Sequence, residues 1–297
     1  MYQPFAWGLY RLKTPMRTTQ RKVALITGAG RGLGWGIAKA FGMAGTRVCA
    51  TDVNLDELEL GSRQISDDGS EIMFCHLDVA DKEEFSEVAQ KVFDQWGRID
   101  VLVHAAAVMP LISFEDTSYE TWWWELGINL GGLFNGAKAT WEIMKGQGEG
   151  HIIGVASGAS FRGFVNEIAY CVGKHGQEGF VKALAEEAAT YNISLNTISP
   201  GKSIKPTGVT QNTALQMPNE VTARWTHPAD LGRAFVWLAN QDPKRFTGLS
   251  FSAGTVVEAI DSEGWDFNIV PEKITPEPQE MIARLEWQNQ QRQFRRR

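Results

Sequence analysis

The sequence predicts an α/β fold, a doubly wound parallel sheet in a single domain. Short apolar runs alternate with longer segments whose apolar residues recur at helical spacing. A glycine-rich turn follows the first apolar run. The 297 residues, 43% hydrophobic, suffice for one large core without forcing a second.

The first unit, "KVALITGAGRGLGWGIAKAFGMAGTRVCATD", reads as strand, glycine turn, helix and a second strand ending at Asp52. The alternation continues through "EIMFCHLDV", "DKEEFSEVAQKVFDQWGRI", "DVLVHAAAV", "WWWELGINLGGLFNGAKATWEIM", "GHIIGVASG", a helix beginning near Tyr170, "ISLNTISPG", "PADLGRAFVWLANQ" and "TGLSFSAG". Apolar strands separated by helices require a parallel sheet covered on both faces, with right-handed crossovers. Residues 21–254 form this unit. Three parts lie outside its rhythm: an N-terminal extension over 1–20, a polar stretch over 202–224 that reads as a flap over a ligand, and a C-terminal extension over 255–297. The last reads as a solvated end or as a contact with another subunit.

A net charge of −6 spread along the chain argues against nucleic acid as a principal ligand and favours a small molecule. Cys49, Cys75 and Cys171 lack CxxC spacing, so neither a disulfide framework nor a structural zinc is expected, in keeping with a reducing cytoplasm. No apolar run reaches the roughly 18 residues of a membrane span. The N-terminal residues lack an apolar signal core with a small-residue cleavage site.

In "TGAGRGLG" the glycines Gly28, Gly30, Gly32 and Gly34 sit between a strand and a helix, where backbone must approach a pyrophosphate and helix N–H groups meet its charge. The spacing fails GxGxxG in every register, because Leu33, Trp35 and Ile37 take the last position, but satisfies TGxxxGxG. A carboxylate at Asp52 suits the ribose hydroxyls of NAD and repels the 2′-phosphate of NADP, so NAD is favoured. A helix-capping role ahead of "NLDEL" is the alternative, and Arg31 stands ready to hold a phosphate.

Downstream come Asn129 in "INLGG", Ser157 in "VASGAS", and Tyr170 with Lys174 in "YCVGK". Taken in order with "TGAGRGLG", "HLDV" and the "PG" of Pro200 and Gly201, these resemble the short-chain dehydrogenase/reductase family over about residues 21–254. The resemblance implies a Rossmann-type sheet, commonly tetrameric, and an NAD-linked oxidoreductase acting on a secondary alcohol. It makes Tyr170 the acid/base, Ser157 the holder of the substrate oxygen, Lys174 a ligand of the nicotinamide ribose, and Asn129 the support of a proton-relaying water. It places Gly28, Arg31, Gly32, Leu33, Gly34, Asp52, Asp78, Val79, Ala105, Pro200 and Gly201 around the dinucleotide, with Asp78 near the adenine.

The chemistry calls for these types. Free tyrosine, with a pKa of about 10, is a poor base at neutral pH, and a nearby ammonium and a cationic nicotinamide favour its phenolate. The expected substrate is a sugar, polyol or small hydroxy acid. The alternative within enzymes is a 3-oxoacyl thioester reductase; outside them, a dinucleotide sensor without catalysis.

Some residues depart from the family pattern. His104-Ala105-Ala106-Ala107 replaces the usual NNAG, and His104 reads as a satisfied core histidine. Lys205 takes a position commonly held by threonine near the nicotinamide amide, with Thr207 two residues on. Lys202 and Arg162 are placed to attract a substrate anion, and the three tryptophans at 122–124 are expected mostly in packing, with one ring available for substrate or subunit contact. A hydrolase elbow is excluded because Arg162 stands where "GASFR" needs glycine, and a P-loop because Asn196 stands where "GKS" needs one.

Overall fold

The computed structural model describes residues 21–66, 70–207, 209 and 216–269. The expected N-terminal extension over 1–20, positions 208 and 210–215 of the expected flap, and 270–297 lie outside them.

Among the described residues seven parallel strands form one sheet in the order β3-β2-β1-β4-β5-β6-β7. They are β1 (Val23–Thr27), β2 (Arg47–Asp52), β3 (Ile72–His76), β4 (Val101–His104), β5 (Gly150–Val155), β6 (Ile193–Ser199) and β7 (Leu249–Ser252). Strands β1, β4 and β5 are buried throughout, which explains why their sequences are apolar runs without alternation. Chain order reverses between β1 and β4, paired with Thr27 beside His104, so their C-terminal ends diverge into a crevice.

Helices cover both faces. On one lie α1 (Gly32–Met43), α8 (Pro228–Ala239) and α9 (Ala253–Glu263); on the other lie α3 (Lys82–Trp96), α5 (Gly132–Gln147) and α6 (Ile168–Ala188). Helix α2 (Leu55–Ser66) follows β2, α4 (Tyr119–Leu126) precedes α5, and the short α7 (Asn219–Thr222) precedes α8. Local chemistry sets several ends. Asp81 accepts from the Glu84 N–H at 3.0 Å to start α3, and Gly97, at φ 72°, stops it.

Three outcomes differ from the sequence reading. The segment starting at "WWW" is not one continuous helix, because a π turn over Gly127–Gly131 separates α4 from α5 and carries Asn129 into the interior. Two of its tryptophans, Trp123 and Trp124, are exposed at 66% and 50%, so packing does not account for them. The chain past 254 does not leave the fold at once. Val256 and Ile260 of α9 are buried in the core, and Phe267 stacks on Trp237 with ring centroids 4.7 Å apart. At about 1.5–3 kcal/mol per buried large apolar side chain, these contacts hold the segment to its own sheet.

Candidate active site

A cleft of about 1100 Å³ runs along the C-terminal ends of the strands. Gly28, Arg31, Gly32, Leu33, Gly34, Asp52, Asp78, Val79, Ala105, Ser157, Tyr170, Lys174, Pro200 and Gly201 all line it. Among the expected site residues Asn129 alone is absent from its wall, lying behind it and fully buried.

The dinucleotide end is built from backbone. Gly28 has φ 64°, and a Cβ there would lie 2.6 Å from the Ala106 Cα; a Cβ on Gly34 would lie 2.0 Å from the Gly28 carbonyl oxygen. Only glycine allows the turn to fold this closely against the segment after β4. Thr27 locks the crossing. Its Oγ1 accepts from the Ala105 and Ala106 N–H groups at 3.1 and 3.2 Å. Asp52 braces the turn from β2, its Oδ2 accepting from the Gly30 N–H and its Oδ1 from the Asn54 N–H, both at 3.0 Å. Arg31, expected as a phosphate holder, lines the cleft and pairs with Glu57 at 3.3 Å. Asp78 lies two residues beyond β3, its Oδ1 accepting from the Ala80 N–H at 2.9 Å.

The opposite wall is built from side chains. Tyr170 and Lys174 lie one turn apart on α6, and both are buried. The Lys174 ammonium donates to the Val155 carbonyl at 2.6 Å and lies 5.6 Å from the Tyr170 ring centroid. Burial depresses its pKa to about 8, with Glu178 pulling the other way. Ser157 begins the turn after β5, its Oγ accepting from the Ala159 N–H at 3.2 Å, so its O–H remains available as a donor.

The expected lowering of the tyrosine pKa is not a property of the chain alone. Burial pushes Tyr170 above its usual value, hydrogen bonding with Ser157 offsets this, and Glu167 adds a further upward push. Desolvation of the phenolate outweighs the help available within the protein.

Asn129 spends its side chain on one partner. Oδ1 accepts from the Val108 N–H at 3.0 Å and Nδ2 donates to the Val108 carbonyl at 2.9 Å, while its own carbonyl accepts from Gln177. It therefore ties the segment after β4 to the helix carrying Tyr170. His104 is only half satisfied. Its Nδ1 faces the Thr27 hydroxyl at 3.2 Å, whereas Nε2 has no hydrogen-bond partner among the described residues, although it approaches the Ile128 carbonyl. Complete burial holds its pKa down to about 3, so it is neutral. Lys205 turns to the Val209 carbonyl, and burial, then Arg31, lowers its pKa.

Sequence reasoning missed part of the wall. Met109, Phe161, Phe164 and Glu167 line the cleft beside Tyr170, and only their position near Ser157 and Tyr170 could have flagged them. Glu167 has its pKa raised by burial. Among the described residues, no group of His, Cys, Asp or Glu is arranged to hold a metal, and no helix is long and apolar enough to cross a membrane.

Comparison with known proteins agrees with this architecture. Residues 22–217 match the short chain dehydrogenase family. The chain belongs to that family. D-threitol dehydrogenase of Mycolicibacterium smegmatis is 34% identical over 76% of this chain and 89% of its own length. Trans-4-hydroxycyclohexanecarboxylate dehydrogenase of Sinomonas cyclohexanicum is 35% identical over 62% of this chain and 73% of its own. A metagenomic short-chain oxidoreductase solved with NADP superposes with a TM-score of 0.66 at 26% identity, covering 77% of this chain and 94% of that one. This member of the short-chain dehydrogenases is thus an NAD(P)-binding oxidoreductase of the dehydrogenase/reductase type, acting on an alcohol or carbonyl compound.

Proposed function

We propose that the protein is an NAD-dependent dehydrogenase of a secondary alcohol, a sugar, polyol or small hydroxy acid, with Tyr170 as acid/base. The observation that carries this reading is the wall of the cleft facing the glycine turn, where Tyr170, Lys174 and a Ser157 hydroxyl hydrogen-bonded to Tyr170 come together. A bound oxidised nicotinamide supplies the acceptor for a hydride, so the alcohol becomes a carbonyl compound and NADH forms. Tyr170 takes the hydroxyl proton, Ser157 donates to the substrate oxygen, and Lys174 contributes positive charge and a hydrogen bond to the nicotinamide ribose. Asn129 supports a proton-relaying water and, through Val108, the wall beneath it. Because burial raises Tyr170 in the free chain, oxidation is expected to accelerate as pH rises above neutrality.

Asp52 supports NAD over NADP. Its carboxylate is fixed beside the glycine turn, and the nearest expected phosphate partner, Arg31, is already paired with Glu57. Gly28, Gly32, Leu33, Gly34, Val79, Ala105, Pro200 and Gly201 complete the proposed cradle, with Asp78 at the adenine end. Exposed Trp123, Phe134 and Val172 on α4, α5 and α6 support a homo-oligomer, dimer or tetramer, and the three buried free cysteines suit a cytoplasmic setting.

The test is NADH formation at 340 nm across D-threitol, trans-4-hydroxycyclohexanecarboxylate, sugars and simple secondary alcohols, with NADP in parallel and Tyr170→Phe alongside. Turnover with NAD that the substitution lowers at least about a thousandfold is expected. Turnover surviving in Tyr170→Phe would remove Tyr170 from its role. Activity confined to 3-oxoacyl thioesters with NADPH would make the protein a reductase, and NAD binding without any turnover would make it a sensor.

A further inference from the structure

Five cations line the cleft: Arg31, Arg162, Lys174, Lys202 and Lys205. Four are engaged. Arg31 pairs with Glu57, Lys202 with Glu258, and Lys174 and Lys205 donate to the carbonyls of Val155 and Val209. Arg162 differs. Its guanidinium carbon lies 4.8 Å from the Phe164 ring centroid, and among the described residues no carboxylate, carbonyl or hydroxyl accepts from its donors. An aromatic face steadies a guanidinium plane without consuming its in-plane N–H groups, which leaves the fork that matches a carboxylate open.

The surroundings limit what can meet that fork. Three of the acids lining the cleft, Asp52, Glu57 and Asp78, belong to the dinucleotide end, and Glu167 is the acid at the substrate end. A second anionic group placed near Tyr170 would meet Glu167. The cleft that Arg162 and Tyr170 both line also carries rings: Trp124, Phe161 and Phe164 are exposed at 50%, 48% and 39%, with Met109 in the same wall. A polyol would set several hydroxyls against these apolar faces without partners, whereas a hydrocarbon skeleton would cover them.

We propose that the substrate is a monocarboxylic hydroxy acid with an apolar skeleton, its carboxylate docked on Arg162 and its carbinol at Tyr170. This rests on the dehydrogenase reading and narrows its substrate class. Lys202, the other basic residue expected to attract an anion, is taken by Glu258 and is not part of the dock.

The experiment compares a 4-hydroxycyclohexane carboxylate with its neutral carboxamide and with D-threitol, in the wild type, Arg162→Gln and Arg162→Lys. The wild type is expected to prefer the acid over the carboxamide by about tenfold or more in kcat/KM, the size of one charge-assisted bidentate contact. In Arg162→Gln that ratio collapses, mainly through KM for the acid, and Arg162→Lys restores part of it. Equal use of acid and carboxamide by the wild type, an unchanged ratio in Arg162→Gln, or D-threitol as the better substrate would each overturn the proposal. If the wild type oxidises none of them and none of the wider panel above, the dehydrogenase reading fails separately, and the dock is read by titrating the acid into NADH-loaded protein by NADH fluorescence. Binding weakened at least about fivefold by Arg162→Gln then sustains the dock, and absence of binding overturns it. Melting curves and NADH affinity of both variants check that Arg162 is not needed for folding.

Discussion

The two ends of the cleft are made by opposite means. At the dinucleotide end, backbone meets backbone: Gly28 against Ala106, Gly34 against the Gly28 carbonyl, and a buried Thr27 hydroxyl serving two N–H groups. At the proposed substrate end, exposed side chains on the loop between β5 and α6 face the cleft, and among the described residues Arg162 is held by the Phe164 ring. An end built from backbone tolerates no change of residue type, whereas one built from loop side chains can be rewritten without disturbing the sheet. Specificity can therefore vary over a constant cofactor site.

The sharpest way to break this contrast is Gly34→Ala. Its Cβ would lie 2.0 Å from the Gly28 carbonyl oxygen, so the turn must shift. Overpacking of about 1–3 kcal/mol is expected, about 5- to 150-fold in NADH affinity if it falls on the turn. An NADH titration reporting wild-type affinity would show that the turn adapts. Asp52→Asn keeps the shape but removes the charge. The proposed preference for NADH over NADPH is expected to fall about tenfold in paired titrations, and an unchanged ratio would assign discrimination elsewhere.

Acid stability asks whether the two ends share one scaffold. His104 at the end of β4 and His151 at the start of β5 are both buried, with pKa values held at about 3 by burial, aided by Lys174 and Lys22 respectively. The unfolded chain binds these protons near pH 6.5, so stability is full above that value and declines as pH falls from there toward 3. At pH 5 each histidine is expected to lower stability by about 2 kcal/mol. Urea midpoints measured from pH 7 to 4 should show this, with a shallower slope in His104→Gln. Loss of NADH binding at a pH where the fold persists would show that the dinucleotide end opens alone. The smallest effect is expected from Phe164→Ala, which removes the support of Arg162. The substrate KM should rise about threefold to tenfold while NADH affinity stays within about twofold; an equal effect on both would erase the contrast.

How much was legible follows from the same difference. "TGAGRGLG", Asp52, Ser157 and the Tyr170–Lys174 pair were readable because pyrophosphate approach, ribose contact and a helical turn each fix residue type at a set spacing. The break at Gly127–Gly131 was not, since "ELGINLGG" keeps helical apolar spacing through the π turn. Nor was the pairing of Arg31 with Glu57, which needs α2 folded against the glycine turn.

The sequence by itself determined the alternation of strand and helix, the dinucleotide turn and the order of the polar residues around it, because local geometry and covalent spacing decide those. Tertiary structure alone decided the electrostatics: that Tyr170 is raised rather than lowered, that Lys174 sits near 8, and that among the described residues Arg162 meets no acceptor while its neighbours are paired. Those depend on burial and on which distant segment comes to lie beside each charge, and no spacing along the chain encodes a desolvation energy.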